Sequence, residues 1–376
     1  MKHTNRPVGA ALLVAGALLV FGCRGTHVEQ LAGAPGRFTI AGDRGAVEIP
    51  FELYDGAKPL IRGVMGGKDV AFLIDNGKLF DPVWFYDGEV DSIGVRYQSD
   101  RKDSLSGIGE GGASEIREGN DVDIAFGDVL FTGQPSLISP REAGFGAFFP
   151  GVNGQVCSLL FKHFVVTFDF DRNVIVLTRP EKFKYRGSGR AIPMRAGANG
   201  SYCIPFSLRT ADSEARVVML DIDIGTISPL YLIGSEKNGI RIPAGVPKSL
   251  LGYGASGAIH GYRGRVAAVG IGGYSLVDVP AEFVEASANA DTAVVESGTF
   301  GIPLMKRFNI TFDYFRRIMY LEPNRNFGAP FEQEAEPSKN GQAPGCSALS
   351  EQPGHLPSGA ARLSDEDHLP RCFESR

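Results

Sequence analysis

Two stretches of sequence decide the fold: GQVCSLLFKHFVVTFDFDRNVIVL at residues 154–177 and GTFGIPLMKRFNITFDYFRRIMYL at residues 298–321. They align without a gap, and nine of their 24 positions are identical, where chance at average composition gives about one or two. The pattern of each copy predicts a short helix followed by a β-hairpin. A single internal duplication predicts two homologous lobes, because solenoids need three or more units.

Two further landmarks precede each copy in the same order. An apolar strand runs into an acidic turn, Asp75-Asn76-Gly77 in the first lobe and Asp223-Ile224-Gly225 in the second. Asp75 lies 79 residues before the first copy, and Asp223 lies 75 residues before the second. Between each turn and its copy is a glycine-rich stretch, which indicates a hairpin tip or flap. The glycines of these stretches are Gly107, Gly109 and Gly112 in the first lobe and Gly252, Gly254 and Gly257 in the second.

The two ends of the chain have different patterns. Residues 8–22 form an apolar run after two basic residues, which is short for a bilayer span and typical of a signal-peptide core. A small residue followed by Cys23 resembles a bacterial lipobox and implies lipidation of Cys23. A secretory signal cut nearby and an uncleaved short anchor are the alternatives. The predicted divisions are a lipoprotein signal peptide at 1–22, a tether at 23–37, lobes at 38–182 and 183–325, and a disordered tail at 326–376.

Composition excludes several classes of protein. The chain has 38 basic and 43 acidic residues, a net charge of −5, so it lacks the electrostatic footprint of a nucleic-acid-binding protein. No C-x-x-C, His-Glu-x-x-His or G-x-S-x-G motif is present, so neither a metal site nor a serine hydrolase elbow is predicted. A compartment outside the cytoplasm permits disulfides, and Cys346 and Cys372 of the tail could pair there.

The landmarks together resemble the retropepsin-like aspartic peptidases of the pepsin and retropepsin superfamily, in their two-lobed bacterial exported form. That family has an apolar strand ending in Asp-Thr/Ser-Gly, a glycine-rich flap, and a glycine-containing segment before a helix and a final hairpin. The resemblance covers about residues 48–323. It implies an all-β, bilobal acid-protease fold of two β-barrel-like lobes, with Asp75 and Asp223 facing each other across a cleft.

The implied chemistry is hydrolysis of a peptide bond by two carboxylates that share one proton. Like charges at that distance do not both ionise, so one carboxyl group is the acid and the other is the base. The base activates a water and the acid polarises the peptide carbonyl. An extended peptide or protein substrate would bind under the flaps as an added strand, and no cofactor is implied.

The active-site loops depart from the family pattern, which makes them degenerate triplets. Family members have Thr or Ser after each Asp, with a hydroxyl that crosses to the other lobe. Asn76 offers an amide donor in that place, whereas the side chain of Ile224 offers none. Thr226 is expected to hydrogen-bond Asp223. At the corresponding position of the first lobe, the ammonium of Lys78 would favour ionisation of both carboxylates.

Three functions are consistent with these features. The leading hypothesis is an extracytoplasmic aspartic-type endopeptidase, lipid-anchored through Cys23 and facing the periplasm, with the outer membrane favoured over the inner one. The second is a catalytically inactive relative that binds extended peptides or an envelope protein, and the third is a structural lipoprotein. Asp221 is the rival of Asp223 for the dyad, since both lie on one face of the strand, but only Asp223 has the adjoining glycine.

Overall fold

The computed structural model describes residues 37–77, 82–86, 90–105, 107–140, 145–197, 201–210, 214–286 and 297–331 of the 376-residue chain. Cys23, Lys78, Cys346, Cys372 and the predicted signal peptide lie outside these ranges. The elements of the first half are β1 (Arg37–Ile40), β2 (Ala46–Tyr54), β3 (Lys58–Met65), β4 (Lys68–Ile74), β5 (Val83–Phe85), β6 (Tyr97–Leu105), β7 (Ser114–Phe126), β8 (Val129–Ile138), α1 (Phe145–Phe148), β9 (Gly154–Val156), β10 (Val165–Asp169) and β11 (Val174–Thr178). Those of the second half are β12 (Arg190–Pro193), β13 (Arg195–Ala196), β14 (Tyr202–Arg209), β15 (Arg216–Ile222), β16 (Leu230–Gly234), β17 (Ser249–Gly254), β18 (Gly257–Ile271), β19 (Tyr274–Glu285), β20 (Gly298–Phe300), α2 (Ile302–Met305), β21 (Phe308–Asp313) and β22 (Ile318–Pro323).

Among the described residues, the strands form two large sheets. One has the order β12-β22-β21-β10-β11-β2-β3-β4-β9-β5-β8-β7-β6, with β1 paired to β8. The other has the order β13-β14-β15-β20-β16-β19-β18-β17. The last five residues of β4 are all buried, as expected for a central strand that is covered on both faces.

The two halves repeat the same set of strand pairings. In the first half, β4 runs parallel to β9, β9 is antiparallel to β5, and β5 is parallel to β8. In the second half, β15 runs parallel to β20, β20 is antiparallel to β16, and β16 is parallel to β19. Each half then continues into two long antiparallel strands and a shorter one, β8-β7-β6 and β19-β18-β17. The structure therefore confirms the all-β class and the duplication into two similar halves.

The predicted hairpins of the two copies form and pair with each other. Strands β10 and β11 form the first hairpin, β21 and β22 form the second, and β10 is antiparallel to β21. Thr167 lies opposite Thr311 in this register, and their hydroxyl oxygens are 2.8 Å apart. These two residues occupy the same position in the two copies. The axis that relates the halves thus passes between them, which sequence reasoning did not predict.

Phenylalanine side chains fill the core of both halves. The largest fully buried side chains among the described residues are all phenylalanines, and several meet edge to face, such as Phe72 with Phe85 at a ring separation of 5.5 Å. Burial of such rings is the main favourable contribution to folding. The fully buried set is Phe72, Phe85, Phe126, Phe131, Phe161, Phe164, Phe168, Phe206, Phe283, Phe300, Phe308 and Phe312.

Two details differ from the prediction. The second copy contains a helical turn, α2, but the corresponding part of the first copy is a run of turns and not a helix. Residues 326–331, placed by the sequence at the start of the disordered tail, pack on the core through Phe327 and Phe331. The guanidinium of Arg307 lies 3.6 Å from the ring centroid of Phe331, so packed structure extends to the last described residue. In the described part of the chain, no helix has the length and apolar character needed to cross a membrane.

Candidate active site

The two acidic turns follow equivalent strands and have the same local structure. The amides of Asp75 and Asp223 donate to the neighbouring parallel strand, at 3.1 and 3.3 Å. In each turn the carboxylate then accepts a hydrogen bond from the glycine two residues later. The amide of Gly77 donates to Asp75 Oδ1 at 2.9 Å, and the amide of Gly225 donates to Asp223 Oδ1 at 2.8 Å. The backbone therefore fixes the direction of both carboxylates.

Each glycine lies against the carboxylate of the other half. A Cβ atom placed on Gly77 would be 2.6 Å from Cγ of Asp223, and one placed on Gly225 would be 2.5 Å from Oδ2 of Asp75. No real Cβ fits at such distances, so only glycine allows this approach. Because Gly77 also donates to Asp75, both carboxylates contact the same residue. The structure thus brings Asp75 and Asp223 together at the junction of the two halves.

The carboxyl group of Asp75 has a strongly perturbed titration. Its pKa is raised to about 6, first by burial and next by the neighbouring charge of Asp223, against the opposing effects of Lys58, the Gly77 amide and Gln155. A raised pKa from burial beside a second carboxylate is the condition under which a pair holds one proton between them. The pair can therefore supply an acid and a base at mildly acidic pH.

Asn76 joins the two turns across the junction. Its Oδ1 accepts a hydrogen bond from the amide of Ile224 at 2.7 Å, and its Nδ2 donates to the hydroxyl of Tyr314 at 2.8 Å. Sequence reasoning expected Asn76 to act across the lobes as a donor. Its Nδ2 does donate across the halves, to Tyr314, whereas the backbone group that it meets is the N–H of Ile224, for which the side-chain oxygen is the acceptor. The side chain of Ile224 is buried and contributes packing alone.

The remaining positions of the loops differ between the halves. The hydroxyl of Thr226 donates to Asp223 Oδ2 at 2.6 Å, as the sequence predicts. Its counterpart Lys78 lies outside the described residues, so its effect on the pair stays a prediction. Asp221 lies within β15, where the hydroxyl of Ser201 donates to its Oδ1 at 3.1 Å.

Sequence reasoning missed three polar residues near Asp75. Lys58 donates from its ammonium to the carbonyl oxygen of Gly225. Gln155 Nε2 lies 3.5 Å from Asp75 Oδ2, and its Oε1 accepts from the hydroxyl of Tyr86 at 2.7 Å. The position of Gln155, directly after the first glycine of the first copy, was a usable signal. Lys58 and Tyr86 had none, because they lie 17 residues before and 11 residues after Asp75.

An aromatic cluster adjoins this network on the side of the first half. Tyr86 stacks on Phe149 at a ring separation of 5.4 Å and meets Trp84 edge to face at 5.4 Å. Phe145 of α1 lies 4.9 Å from Trp84. Aromatic rings therefore pack around Tyr86, whose hydroxyl donates to the Gln155 side chain beside Asp75.

The two glycine-rich stretches form hairpin tips that touch each other. We call residues 107–113, between β6 and β7, the first flap tip. Residues 254–258, where β17 turns into β18, are the second flap tip. The amide of Gly111 donates to the carbonyl of Ser256 at 2.6 Å, that of Glu110 to Ala258 at 2.9 Å, and that of Ser256 to Ile108 at 3.1 Å. The flaps are thus joined by backbone hydrogen bonds, as strands are in a sheet.

The predicted flap glycines differ in what they do. A Cβ on Gly107 would be 2.7 Å from Cβ of Ala255, and one on Gly109 would be 2.5 Å from the carbonyl carbon of Ser256. Gly254 is equally tight against the carbonyl of Ile108. The other three predicted glycines have more room for a side chain. Gly112 and Gly252 face open space, and Gly257 has a positive φ of 97° with no atom nearer than 3.6 Å to an added Cβ.

A pair of polar side chains also links the flaps, and its loss should loosen them. His260 Nδ1 lies 2.9 Å from Glu110 Oε2, and this hydrogen bond holds the pKa of Glu110 below its usual value. We expect Glu110→Gln and His260→Gln to raise the exchange rates of the Glu110, Gly111 and Ser256 amides about two- to five-fold, since exposed pairs contribute little. Hydrogen exchange followed by mass spectrometry measures this. Glu285→Gln, which alters pairs within the second half only, is the matched control, and equal exchange in all variants would contradict the expectation.

Removing the side chain of Asn76 should destabilise the fold. Asn76→Ala leaves the buried amide of Ile224 without its partner and removes one partner of the Tyr314 hydroxyl. Unsatisfied buried groups cost about 1 to 3 kcal/mol each, so we expect the free energy of unfolding to fall by about 2 kcal/mol or more. Tyr314→Phe removes the second hydrogen bond alone and should cost about 1 kcal/mol. Denaturant titration measures both, and equal losses would show that the bond to Ile224 adds nothing.

Comparison with solved structures gives a distant similarity, whereas the two sequence comparisons give none. No family model matches the sequence, and no curated protein matches it. Among solved structures, an aspartic proteinase from Irpex lacteus is similar with a TM-score of 0.47 and 14% sequence identity, over 76% of this chain and 100% of that chain.

Proposed function

We propose that this chain is an aspartic-type endopeptidase that hydrolyses extended peptides with Asp75 and Asp223. The observation that supports the proposal is the mutual approach of the two carboxylates, each against the glycine of the other turn. The repeated hydrogen bonds from Gly77 and Gly225 and the raised pKa of Asp75 are consistent with it.

The proposed reaction needs only the pair and one water. Asp75, whose pKa is raised, carries the shared proton, and ionised Asp223 accepts a proton from the water. The water oxygen forms a bond to the peptide carbonyl carbon while Asp75 gives its proton to the carbonyl oxygen. The resulting diol breaks its C–N bond as the nitrogen takes the proton from Asp223, and the diol returns a proton to Asp75. The protons balance, and the pair returns to its starting state.

The flaps and the aromatic cluster fit this role. The joined flap tips must part for an extended peptide to enter, and the hairpin strands then offer backbone groups for strand addition. Trp84, Tyr86 and Phe149 favour apolar side chains next to the scissile bond.

We also propose that the protein acts outside the cytoplasm, attached to the cell envelope by a lipid on Cys23 and facing the periplasm. The support is the apolar run at residues 8–22 followed by Cys23. Mass spectrometry of the native protein would detect a diacylglyceryl group on an N-terminal Cys23, and an unmodified residue 23 would exclude the anchor.

The direct test of the activity is cleavage of a random peptide library between pH 3 and 8, with products sequenced by mass spectrometry. We expect cleavage at apolar sites that declines above about pH 6, where the pair loses its shared proton. Binding of peptides without any new termini would contradict the proposal and indicate a binding protein with the same cleft.

A further inference from the structure

Lys58 reaches from one half of the molecule into the active-site turn of the other. It is the first residue of β3, and the register of β3 on β4 pairs Leu60 with Leu73, which puts Lys58 level with Asp75. Its ammonium donates to the carbonyl oxygen of Gly225 in the second half. The contact therefore spans 167 residues of sequence.

Gly225, whose carbonyl oxygen accepts the hydrogen bond from Lys58, contacts both carboxylates. Its amide donates to Asp223 Oδ1 at 2.8 Å, and its α-carbon lies against the carboxylate of Asp75. The ammonium of Lys58 also lies 5.8 Å from the ring centroid of Phe149. A positive charge with an aromatic ring on one side is screened less than one in open water.

Among the described residues of the second half, a serine and not a cation occupies the equivalent place. There, Cys203 pairs with Asp221 in the register of β14 on β15, which puts Ser201 level with Asp223. Ser201 is buried and donates its hydroxyl to Asp221. The two turns are therefore alike in backbone but different in charge.

We propose that Lys58 is a positioning residue that anchors the Gly225 turn and, by its charge, sets the pH at which the acidic pair takes up its shared proton. This inference rests on the proposed function, since it assigns a regulator of that same pair. It agrees with the effect of Lys58 on Asp75, whose pKa its charge lowers against burial and Asp223.

The described titratable groups around Lys58 are few. Asp75 interacts with its charge, Asp223 belongs to the turn whose Gly225 it bonds, Tyr54 lies opposite it in the register of β2 on β3, and Tyr86 lies beyond Asp75. Both tyrosines have their pKa raised, mainly by burial, and stay neutral through the range of interest. The carboxylates are thus the groups that respond when the charge of Lys58 is removed.

The test replaces Lys58 in the full chain and follows the carboxyl groups by ¹³C NMR between pH 3 and 8, which needs no turnover. Without the cation, the protonated form of the pair is favoured, so we expect Lys58→Met to move the Asp75 titration up by about one pH unit. Lys58→Gln should shift it similarly while keeping a donor for Gly225, and Lys58→Arg should restore the wild-type titration. Lys68→Met removes a lysine that also donates to a carbonyl, that of Ser92, far along the same sheet, and is the matched control.

The same variants are then assayed for the pH dependence of kcat/KM, whose alkaline limb should move with the titration. A titration in Lys58→Gln that matches wild type would overturn the assignment of charge, even if Lys58→Met fails to fold. An NMR shift without cleavage by any variant, wild type included, would refute the proposed function and leave the role of Lys58 standing. Cleavage with an unchanged titration and an unchanged pH profile would refute the role of Lys58 and leave the proposed function standing.

Discussion

Asp75→Asn and Asp223→Asn are each expected to lower kcat/KM for peptide hydrolysis by about 10²- to 10⁴-fold, the contribution usual for a positioned acid or base. Asparagine keeps the shape and can still accept the hydrogen bond from Gly77 or Gly225. What it loses is the capacity to hold or release the shared proton. The double variant should be no worse than the poorer single one, because the two groups act as a unit.

The stability of these variants separates lost chemistry from lost fold. The pKa of Asp75 is about 6 in the folded chain and about 3.9 for an exposed Asp. Between these values the folded state binds more protons, so folding stability falls as pH rises through this window. Asp75→Asn does not ionise and should therefore unfold at the same or a higher temperature than wild type at pH 7, as measured by calorimetry.

Asp221→Asn is the matched control for Asp223→Asn. It removes a carboxylate two residues before Asp223, which accepts a hydrogen bond from the hydroxyl of Ser201. We expect it to keep activity within a few-fold of wild type. Full activity in Asp223→Asn, or loss of activity in Asp221→Asn alone, would show that Asp223 is not a member of the dyad.

Gly225→Ala and Gly77→Ala should abolish the proposed hydrolysis without removing any reacting group. The added methyl group would lie 2.5 Å from Asp75 Oδ2 in the first case and 2.6 Å from Asp223 Cγ in the second. The carboxylates must then move apart, and a displacement of about 1 Å in an active site can cost 10²-fold in rate. We expect kcat to fall by about that factor or more.

The readout that identifies this effect is the titration of the pair. Carboxyl groups that have been separated no longer raise each other's pKa, so the Asp75 titration should move to lower pH in both variants. Gly328→Ala, a glycine with no atom within 4 Å of its added Cβ, should leave both rate and titration unchanged. Retention of wild-type kcat in Gly225→Ala would show that the close approach is not needed for hydrolysis.

The sequence by itself determined the duplication and the places of the acidic turns. The two copies at 154–177 and 298–321 are local patterns, and their hairpins depend on alternation and turn residues that can be read directly. The order and spacing of the landmarks then put Asp75 and Asp223 at equivalent positions, and the position of Thr226 predicted its hydrogen bond to Asp223. These features depend on neighbours in the chain, so no tertiary contact was needed to predict them.

The tertiary structure alone decided what surrounds the pair. Lys58 meets Gly225, Asn76 meets Tyr314, and the two flap tips join each other, through contacts between residues 140 or more positions apart. No local pattern specifies such partners, because they depend on the docking of one half against the other. The same docking sets the burial that raises the pKa of Asp75. The sequence therefore located the carboxylates, whereas packing of the two halves fixed their partners and the raised pKa of Asp75.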